Sequence, residues 1–392
     1  MEATTPYQGL FYLSLGFSAF SFLLLGFRIM SNELAQQESQ TTEFSDAWHH
    51  KEPLEIIEII EETHDIRSIR FKRMDDKKIP LFSPGQFLSF QIGDNPKLLR
   101  SYSISTPSTS HETIQVSVKK LNGGVGSNWF HKLEVGQKVF AYPPSGLFTD
   151  DKLGEGERVY IAGGIGITPM VSMILSNIEK VLKCRMSLFY GMRSEQDLAF
   201  HDLFHYLSKR YPQFSYYPIL SQAPQDWRGD QGHIDLKWIQ SKINLTEDTH
   251  IFMCGPSGMT TTLEDQLEAS GFSLERVHAE KFASPVEFDR ESIPQQSVTL
   301  SWDGTEHAYS GKQTLLEFFE EKSIPIPYAC RVGVCGTCKC KAEGQAHQIT
   351  DAGLTTYEKR AGMILTCVSF PLSDMQLHSV DTSSDKHQTK PA

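Results

Sequence analysis

Four cysteines constrain this chain more than any other feature. Three stand in Cys330-Arg331-Val332-Gly333-Val334-Cys335-Gly336-Thr337-Cys338, and the fourth is far downstream at Cys367. Four residues separate the first two, two separate the next pair, and twenty-eight precede the last. This spacing suits a [2Fe–2S] cluster held by four thiolates. Three thiolates must converge from one tight loop, so Gly333 and Gly336 are expected in backbone conformations closed to other residues. Cys367 then closes the far side. The competing reading is a structural zinc site, but zinc knuckles favour short paired spacings on both sides, and here the second pair is missing.

At 392 residues the chain has room for about two or three domains. A formal charge of −11, with the acidic excess spread along the chain, argues against nucleic acid, which demands a concentrated basic face. The seven cysteines are an odd count. Once the cluster has taken its ligands, Cys184, Cys254 and Cys340 offer no obvious disulfide scheme, which indicates a reducing compartment.

Leu10 to Met30 is apolar and aromatic, with Arg28 its one charge. A helix of that length spans about 30 Å, the thickness of a bilayer's hydrocarbon core. No basic segment precedes it, as a signal peptide would require. It is expected to be a single transmembrane anchor at 10–30, with the catalytic domains cytoplasmic because the one basic residue lies on its C-terminal side. The polar stretch 31–50 is expected to be a flexible linker reaching roughly 25 Å, and the pair His49-His50 in it reads as solvated.

Between 51 and 150, short β-runs such as Ile66–Phe71, Gln86–Ile92, Ile114–Val118 and Lys138–Ala141 are bounded by turn residues, which predicts an antiparallel barrel. It carries Arg100-Ser101-Tyr102-Ser103, then Val118-Lys119, then Gly123-Gly124-Val125-Gly126-Ser127-Asn128. A glycine turn opening a short helix presents free N–H groups to an anion. From 151 to 281 strands alternate with helices, the mark of a parallel α/β sheet. Its first strand runs into Gly163-Gly164-Ile165-Gly166-Ile167-Thr168-Pro169, and a later strand into Cys254-Gly255-Pro256-Ser257-Gly258-Met259. Loops at strand ends are where such sheets bind ligands. A linker at 282–296 leads to a small domain at 297–380, with an Asp303-Gly304 hairpin, a helix at Thr314–Lys322 and the cysteine loop.

With these motifs in this order, the chain resembles the ferredoxin–NADP reductase superfamily, in the subgroup carrying a C-terminal ferredoxin domain. The resemblance implies a β-grasp fold for the last domain and FAD, NADH (or NADPH) and a [2Fe–2S] cluster as cofactors. It assigns Arg100 to the flavin diphosphate, Tyr102 to the isoalloxazine face and Ser103 to flavin N5. Ser101, Val118, Lys119, Gly124, Gly126, Ser127, Phe148 and Phe282 complete the flavin set. Gly163, Gly164, Gly166, Thr168, Pro169, Arg193, Gly255, Pro256 and Met259 fall to the nicotinamide nucleotide, and Cys254 lies by its ring. The cluster ligands are Cys330, Cys335, Cys338 and Cys367.

The chemistry so implied is hydride transfer from nicotinamide to flavin, followed by single electrons through the cluster to a separate protein. Tyr102, Ser103 and Cys254 are the expected catalytic residues, chiefly by orienting two rings. NADH is expected over NADPH, because Gly191–Asp197 holds two acids and only Arg193 to meet a 2′-phosphate. The nearest subfamily in appearance reduces hybrid-cluster protein. A membrane desaturase or oxygenase is the alternative acceptor, and a non-catalytic membrane-tethered redox sensor is the reading from another class.

Overall fold

A computed structural model describes Trp48 and residues 51–379, apart from 76, 96–97, 152, 155, 181–182, 283–291, 294, 329 and 352. Six antiparallel strands come first: β1 (Glu52–Glu61), β2 (Ile66–Arg73), β3 (Phe87–Gln91), β4 (Leu99–Ser103), β5 (Ile114–Lys119) and β6 (Lys138–Ala141). Their order is β4-β3-β6-β1-β2-β5, and an antiparallel bridge between Ile104 and Val116 joins the two ends. The expected barrel is therefore present. On β5, Ile114, Val116 and Val118 point into its core, so Gln115, Ser117 and Lys119 occupy the opposite face. Trp48 is also buried in this core. The tether expected to run to 50 therefore does not include it, because its indole takes a core position.

Helix α1 (Val125–Phe130) follows β5. It is held by the ring of Phe130, edge-on to Phe90 at 5.0 Å between centroids.

The second sheet is wholly parallel, in the order β10-β9-β8-β7-β11-β12. It is built from β7 (Arg158–Gly163), α2 (Ile167–Glu179), β8 (Met186–Met192), α3 (His201–Arg210), β9 (Phe214–Leu220), β10 (Asp230–Gln231), α4 (Leu236–Lys242), β11 (His250–Gly255), α5 (Ser257–Ala269) and β12 (Val277–Lys281). Every residue of β7 is buried, as expected for a strand covered by helices on both faces. Helices α2 and α3 close one core, and α4 and α5 the other. The strand order reverses between β7 and β11, so the loops following those two strands flank the switch point where such sheets take ligands.

Asp150, fully buried, anchors the chain as it leaves the barrel. It accepts hydrogen bonds from Tyr160 Oη at 2.6 Å and Asn177 Nδ2 at 2.7 Å. Burial pushes its carboxyl up, opposed by those bonds and the charge of Arg158.

The C-terminal domain has a mixed five-stranded sheet, β14-β13-β19-β15-β17. Its elements are β13 (Gln296–Trp302), β14 (Thr305–Gly311), α6 (Leu315–Glu321), β15 (Lys339–Glu343), β16 (Ala346–Gln348), α7 (Thr356–Arg360), β17 (Met363–Leu365), β18 (Ser369–Pro371) and β19 (Met375–His378). The β13–β19 pair is parallel and its neighbours antiparallel. Leu315, Phe318 and Phe319 of α6 are buried in the core that this sheet shares, giving the β-grasp arrangement. Asp303 (φ 45°) and Gly304 (φ 87°) are both left-handed, the turn chemistry that an Asp-Gly hairpin requires.

The expected anchor at 10–30 lies outside the described residues, as do His49 and His50. Among the described residues no helix is long and apolar enough to cross a membrane.

Candidate functional site

All three domains contribute to one cleft of ≈ 380 Å³. Arg100, Ser101, Tyr102 and Ser103 of β4 form one wall, with Ser117 and Lys119 of β5 beside them. Gly124 to Ser127 supply the next side, Ile165 and Thr168 come from the glycine loop, and Glu280 to Phe282 come from the end of β12. Cys330, Val332, Val334 and Cys335 of the cysteine loop complete it. The cleft places the metal-ligating loop beside the strand assigned to flavin, with no separate carrier between them.

The barrel side suits a dinucleotide. Arg100 donates to its own neighbour's carbonyl, Leu99 O, at 2.7 Å, and has no carboxylate partner among the described residues, so its charge is available to an anion. Beside it α1 starts at Gly124 without a side-chain cap. A Cβ on Gly126 would stand 2.7 Å from both Arg100 Cγ and Tyr102 Oη, so only glycine lets the helix approach this strand. Tyr102 packs edge-on to Phe130 at 4.7 Å, and burial pushes its hydroxyl well above the usual tyrosine range. It therefore stays a neutral aromatic wall. Ser103 is buried and its hydroxyl makes no hydrogen bond among the described residues, leaving it for a ligand. Lys119 is taken up by Asp65 at 3.1 Å.

The nucleotide loops are pressed together. A Cβ on Gly166 would run into the Cys254 carbonyl and stand 2.8 Å from Gly255 N, and one on Gly163 would lie 2.8 Å from Pro256 Cδ and 2.9 Å from Met259 Sδ. The glycines anticipated as a pyrophosphate cradle thus also allow contact between the two loops. Gly164 is left-handed at φ 60°. Pro169 lies within the first turn of α2, where its missing N–H costs nothing.

Of the anticipated flavin residues Phe148 and Val118 lie outside the cleft wall, and of the anticipated nucleotide residues only Thr168 lines it. Phe148 is buried against Phe252, with centroids 5.8 Å apart, in the core of the parallel-sheet domain. Its size and apolarity are used at a domain joint. The side chain of Val118 points into the barrel core. Arg193 lies beyond β8, where its Nε donates to Gln222 Oε1 at 3.1 Å. Phe282 does reach the cleft and is half-exposed.

The four cysteines behave as two pairs. Cys330 shares a hydrogen bond with Cys335, and Cys338 with Cys367. The first contact lowers the Cys330 thiol, towards the thiolate that metals bind. Cys367 also feels the charges of Cys330 and Cys335, so the four sulfurs lie near one another, as a cluster held by four thiolates requires. Gly333 (φ 77°) and Gly336 (φ 68°) are in the left-handed conformations the loop was expected to need. Cys340 is buried in the sheet core.

One functional candidate was not singled out from sequence. Glu280 lines the cleft and pairs across strands with Cys254. Its carboxyl is buried, its Oε2 has no partner, and burial pushes it up to about 8, with the nearby Cys335 charge adding. It is a neutral acid able to hold a proton at neutral pH. Nothing in its local pattern distinguishes it from a strand-end glutamate.

Family models for an oxidoreductase FAD-binding domain, an oxidoreductase NAD-binding domain and a 2Fe-2S iron-sulfur cluster binding domain match residues 53–149, 160–265 and 300–372. A component of the 1,2-phenylacetyl-CoA epoxidase of Escherichia coli is 31% identical, over 82% of this chain and 95% of its own. The ferredoxin reductase component of 3-ketosteroid-9-alpha-monooxygenase from Rhodococcus rhodochrous is 30% identical, over 82% and 94%. The chain belongs to the ferredoxin–NADP reductase superfamily, in the group with a C-terminal [2Fe–2S] domain. Phthalate dioxygenase reductase shares the fold, with a TM-score of 0.54 and 24% identity over 84% of this chain and 98% of its own.

The protein is accordingly an NAD(P)H-dependent electron-transfer reductase with FAD and a [2Fe–2S] cluster, and the sensor reading falls. When bound, the flavin accepts a hydride and the cluster accepts electrons singly. The chain's own part is positional. Arg100 and the start of α1 offer positive charge to a diphosphate, and Tyr102 forms a flat wall. The Gly166 and Cys254 loops pack directly against each other, and the cysteine loop closes the cleft at Glu280.

Proposed function

We propose that this reductase is the electron-donating component of an oxygenase, taking electrons from NADH. The observation that carries the acceptor assignment is the match, along most of the chain and through all three domains, to components named for a monooxygenase and an epoxidase. Those names favour the oxygenase alternative over hybrid-cluster protein. In this reading Arg100, Gly124, Gly126 and Ser127 serve the flavin diphosphate, Tyr102 and Ser103 its ring, and Cys254 with Gly163–Pro169 the nicotinamide nucleotide. The cluster falls to Cys330, Cys335, Cys338 and Cys367.

NADH preference rests on the end of β8. The Asp197 carboxylate is bound by Ser194 through its N–H at 3.0 Å and its hydroxyl at 2.7 Å, and Arg193, whose Nε donates to Gln222 Oε1, is the one base of Gly191–Asp197. Two acids against one base make a poor seat for a 2′-phosphate. The apolar run at 10–30 would tether the reductase to the cytoplasmic face of a membrane, beside a membrane-bound oxygenase.

Affinity capture of detergent-extracted protein, followed by reconstitution with the captured oxygenase, tests the assignment. NADH-dependent substrate oxidation supports it. Capture of a non-oxygenase that accepts the electrons at full rate overturns it. A kcat/KM for NADPH equal to that for NADH refutes the nucleotide preference.

A further inference from the structure

Buried hydroxyls run in file from the cleft wall to the protein surface. Ser117 lines the cleft. Its Oγ lies 2.7 Å from Ser68 Oγ on the neighbouring strand β2, and Ser68 donates at 2.6 Å to Glu62 Oε1. Ser68 and Ser117 are buried, while Glu62 is partly open to solvent. The register of β2 and β5 sets the two serines directly opposite one another, on the face that does not point into the barrel core. Serines at directly paired positions meet side by side, so the file follows from strand pairing.

With Glu62 ionised the hydroxyl protons of Ser68 and Ser117 have one arrangement. Each hydroxyl has one proton to give and two lone pairs. Ser68 gives its proton to Glu62, so Ser117 must donate to Ser68. Ser105 Oγ, 2.9 Å from Ser117 Oγ and 3.4 Å from Gln115 O, gives its one proton to the nearer Ser117 or to that carbonyl. The Ser117 and Ser68 O–H bonds point toward the carboxylate, and Ser117 keeps at least one lone pair for a donor in the cleft. A hydroxyl file with an acid at its outer end is the arrangement through which protons hop.

The reaction leaves a proton to dispose of. One NAD(P)H and two oxidised one-electron acceptors yield NAD(P)+, two reduced acceptors and one H+. The hydride enters the cleft with two electrons. Once both have left through the cluster, its nucleus remains as a proton.

We propose that Ser117, Ser68 and Glu62 form the path by which this proton leaves the cleft for solvent. An N–H bond in the cleft breaks as an O–H bond forms on Ser117. Ser117's original proton passes to Ser68, and that of Ser68 to the Glu62 carboxylate, which then ionises into water. Glu62 is suited to the end position. Burial raises its pKa above the usual carboxylate value, against the pull of the Ser68 bond and the charge of Arg70, with the neutral hydroxyl of Tyr190 also nearby. The path serves any one-electron acceptor and so does not depend on the oxygenase assignment.

The test uses full-length holoprotein in weakly buffered solution, with NADH as donor, ferricyanide as acceptor and a pH-indicator dye. Glu62→Gln keeps the shape and removes the acid, and Ser68→Ala breaks the file. In both, flavin bleaching by NADH should keep its wild-type rate. Proton appearance during reoxidation should slow by about a hundredfold, the modest end of what positioned proton transfer contributes. Formate or imidazole should restore it in Glu62→Gln. A carboxyl infrared band that changes on reduction of wild type should be absent from that variant. Proton release at the wild-type rate in Glu62→Gln overturns the proposal. So does slowing that small acids fail to rescue, which would give the file a purely structural role. Glu62→Gln, which keeps the side chain's shape at a position partly open to solvent, keeps the test valid if Ser68→Ala does not fold.

Discussion

Gly166 and the carbonyl of Cys254 stand so close that no side chain fits between them, and a Cβ at 166 would also lie 2.8 Å from Gly255 N. This contact joins the two loops at the switch point of the parallel sheet. Overpacking of this kind costs about 1–3 kcal/mol. Gly166→Ala is therefore expected to lower Tm and to raise KM for NADH about tenfold, with the cluster's visible spectrum unchanged. Steady-state kinetics and a thermal melt check both effects.

The pairing of the four cysteines predicts a clean division of labour. Cys335→Ser should abolish reduction of cytochrome c while leaving NADH-driven flavin bleaching intact. Stopped-flow absorbance separates the two events. Loss of flavin bleaching in that variant would contradict the order in which electrons move.

The C-terminal domain meets the parallel-sheet domain along α7 and α5. Thr356 bonds to Glu264, Arg360 pairs with Glu268, and Tyr357 Oη donates to Glu275 Oε1 at 3.1 Å. Exposed pairs contribute only about 0.2–1 kcal/mol each, so a single change should be mild. The double variant Arg360→Glu with Tyr357→Phe should slow cluster reduction several-fold while leaving flavin reduction at its wild-type rate. Raised salt should do the same to wild type, since screening weakens exposed pairs. Rapid-mixing spectra at two ionic strengths measure both.

His278 stacks on Phe252 at 4.6 Å, and its Nε2 lies 3.3 Å from His250 Nδ1. Burial, then the His250 and Lys339 charges, lowers its pKa to about 4 from 6.5. A depressed histidine leaves the folded state with fewer bound protons than the unfolded one. Its contribution is therefore intact above pH 6.5 and is lost as pH falls toward 4. The loss should reach roughly 3 kcal/mol. In urea titrations across that window, His278→Gln should lose less stability than wild type. Parallel curves would exclude His278 as the source.

Much of the site was legible because its chemistry is written locally. The cysteine spacing, the Arg100–Ser103 stretch and the two glycine loops announce ligand types through residues a few positions apart. The alternating and continuous apolar runs likewise mark the barrel and the parallel sheet. Phe148 and Val118 show the limit: on a strand or turn of suitable character, only packing decides whether a side chain faces a ligand or a core. Trp48 shows it again, an indole in a polar stretch whose burial depends on barrel strands far along the chain.

By itself the sequence determined which groups this reductase can hold, since thiolate spacing and loop glycines are properties of neighbouring residues. Only the tertiary structure decided that the Cys335 loop, Tyr102, Ser117 and Glu280 share one cleft. Those segments come from three domains, and their meeting depends on strand register and domain packing, where each buried contact is made by residues distant in the chain. The neutral state of Glu280 is settled there too, because burial, unlike residue type, is a property of the assembled fold.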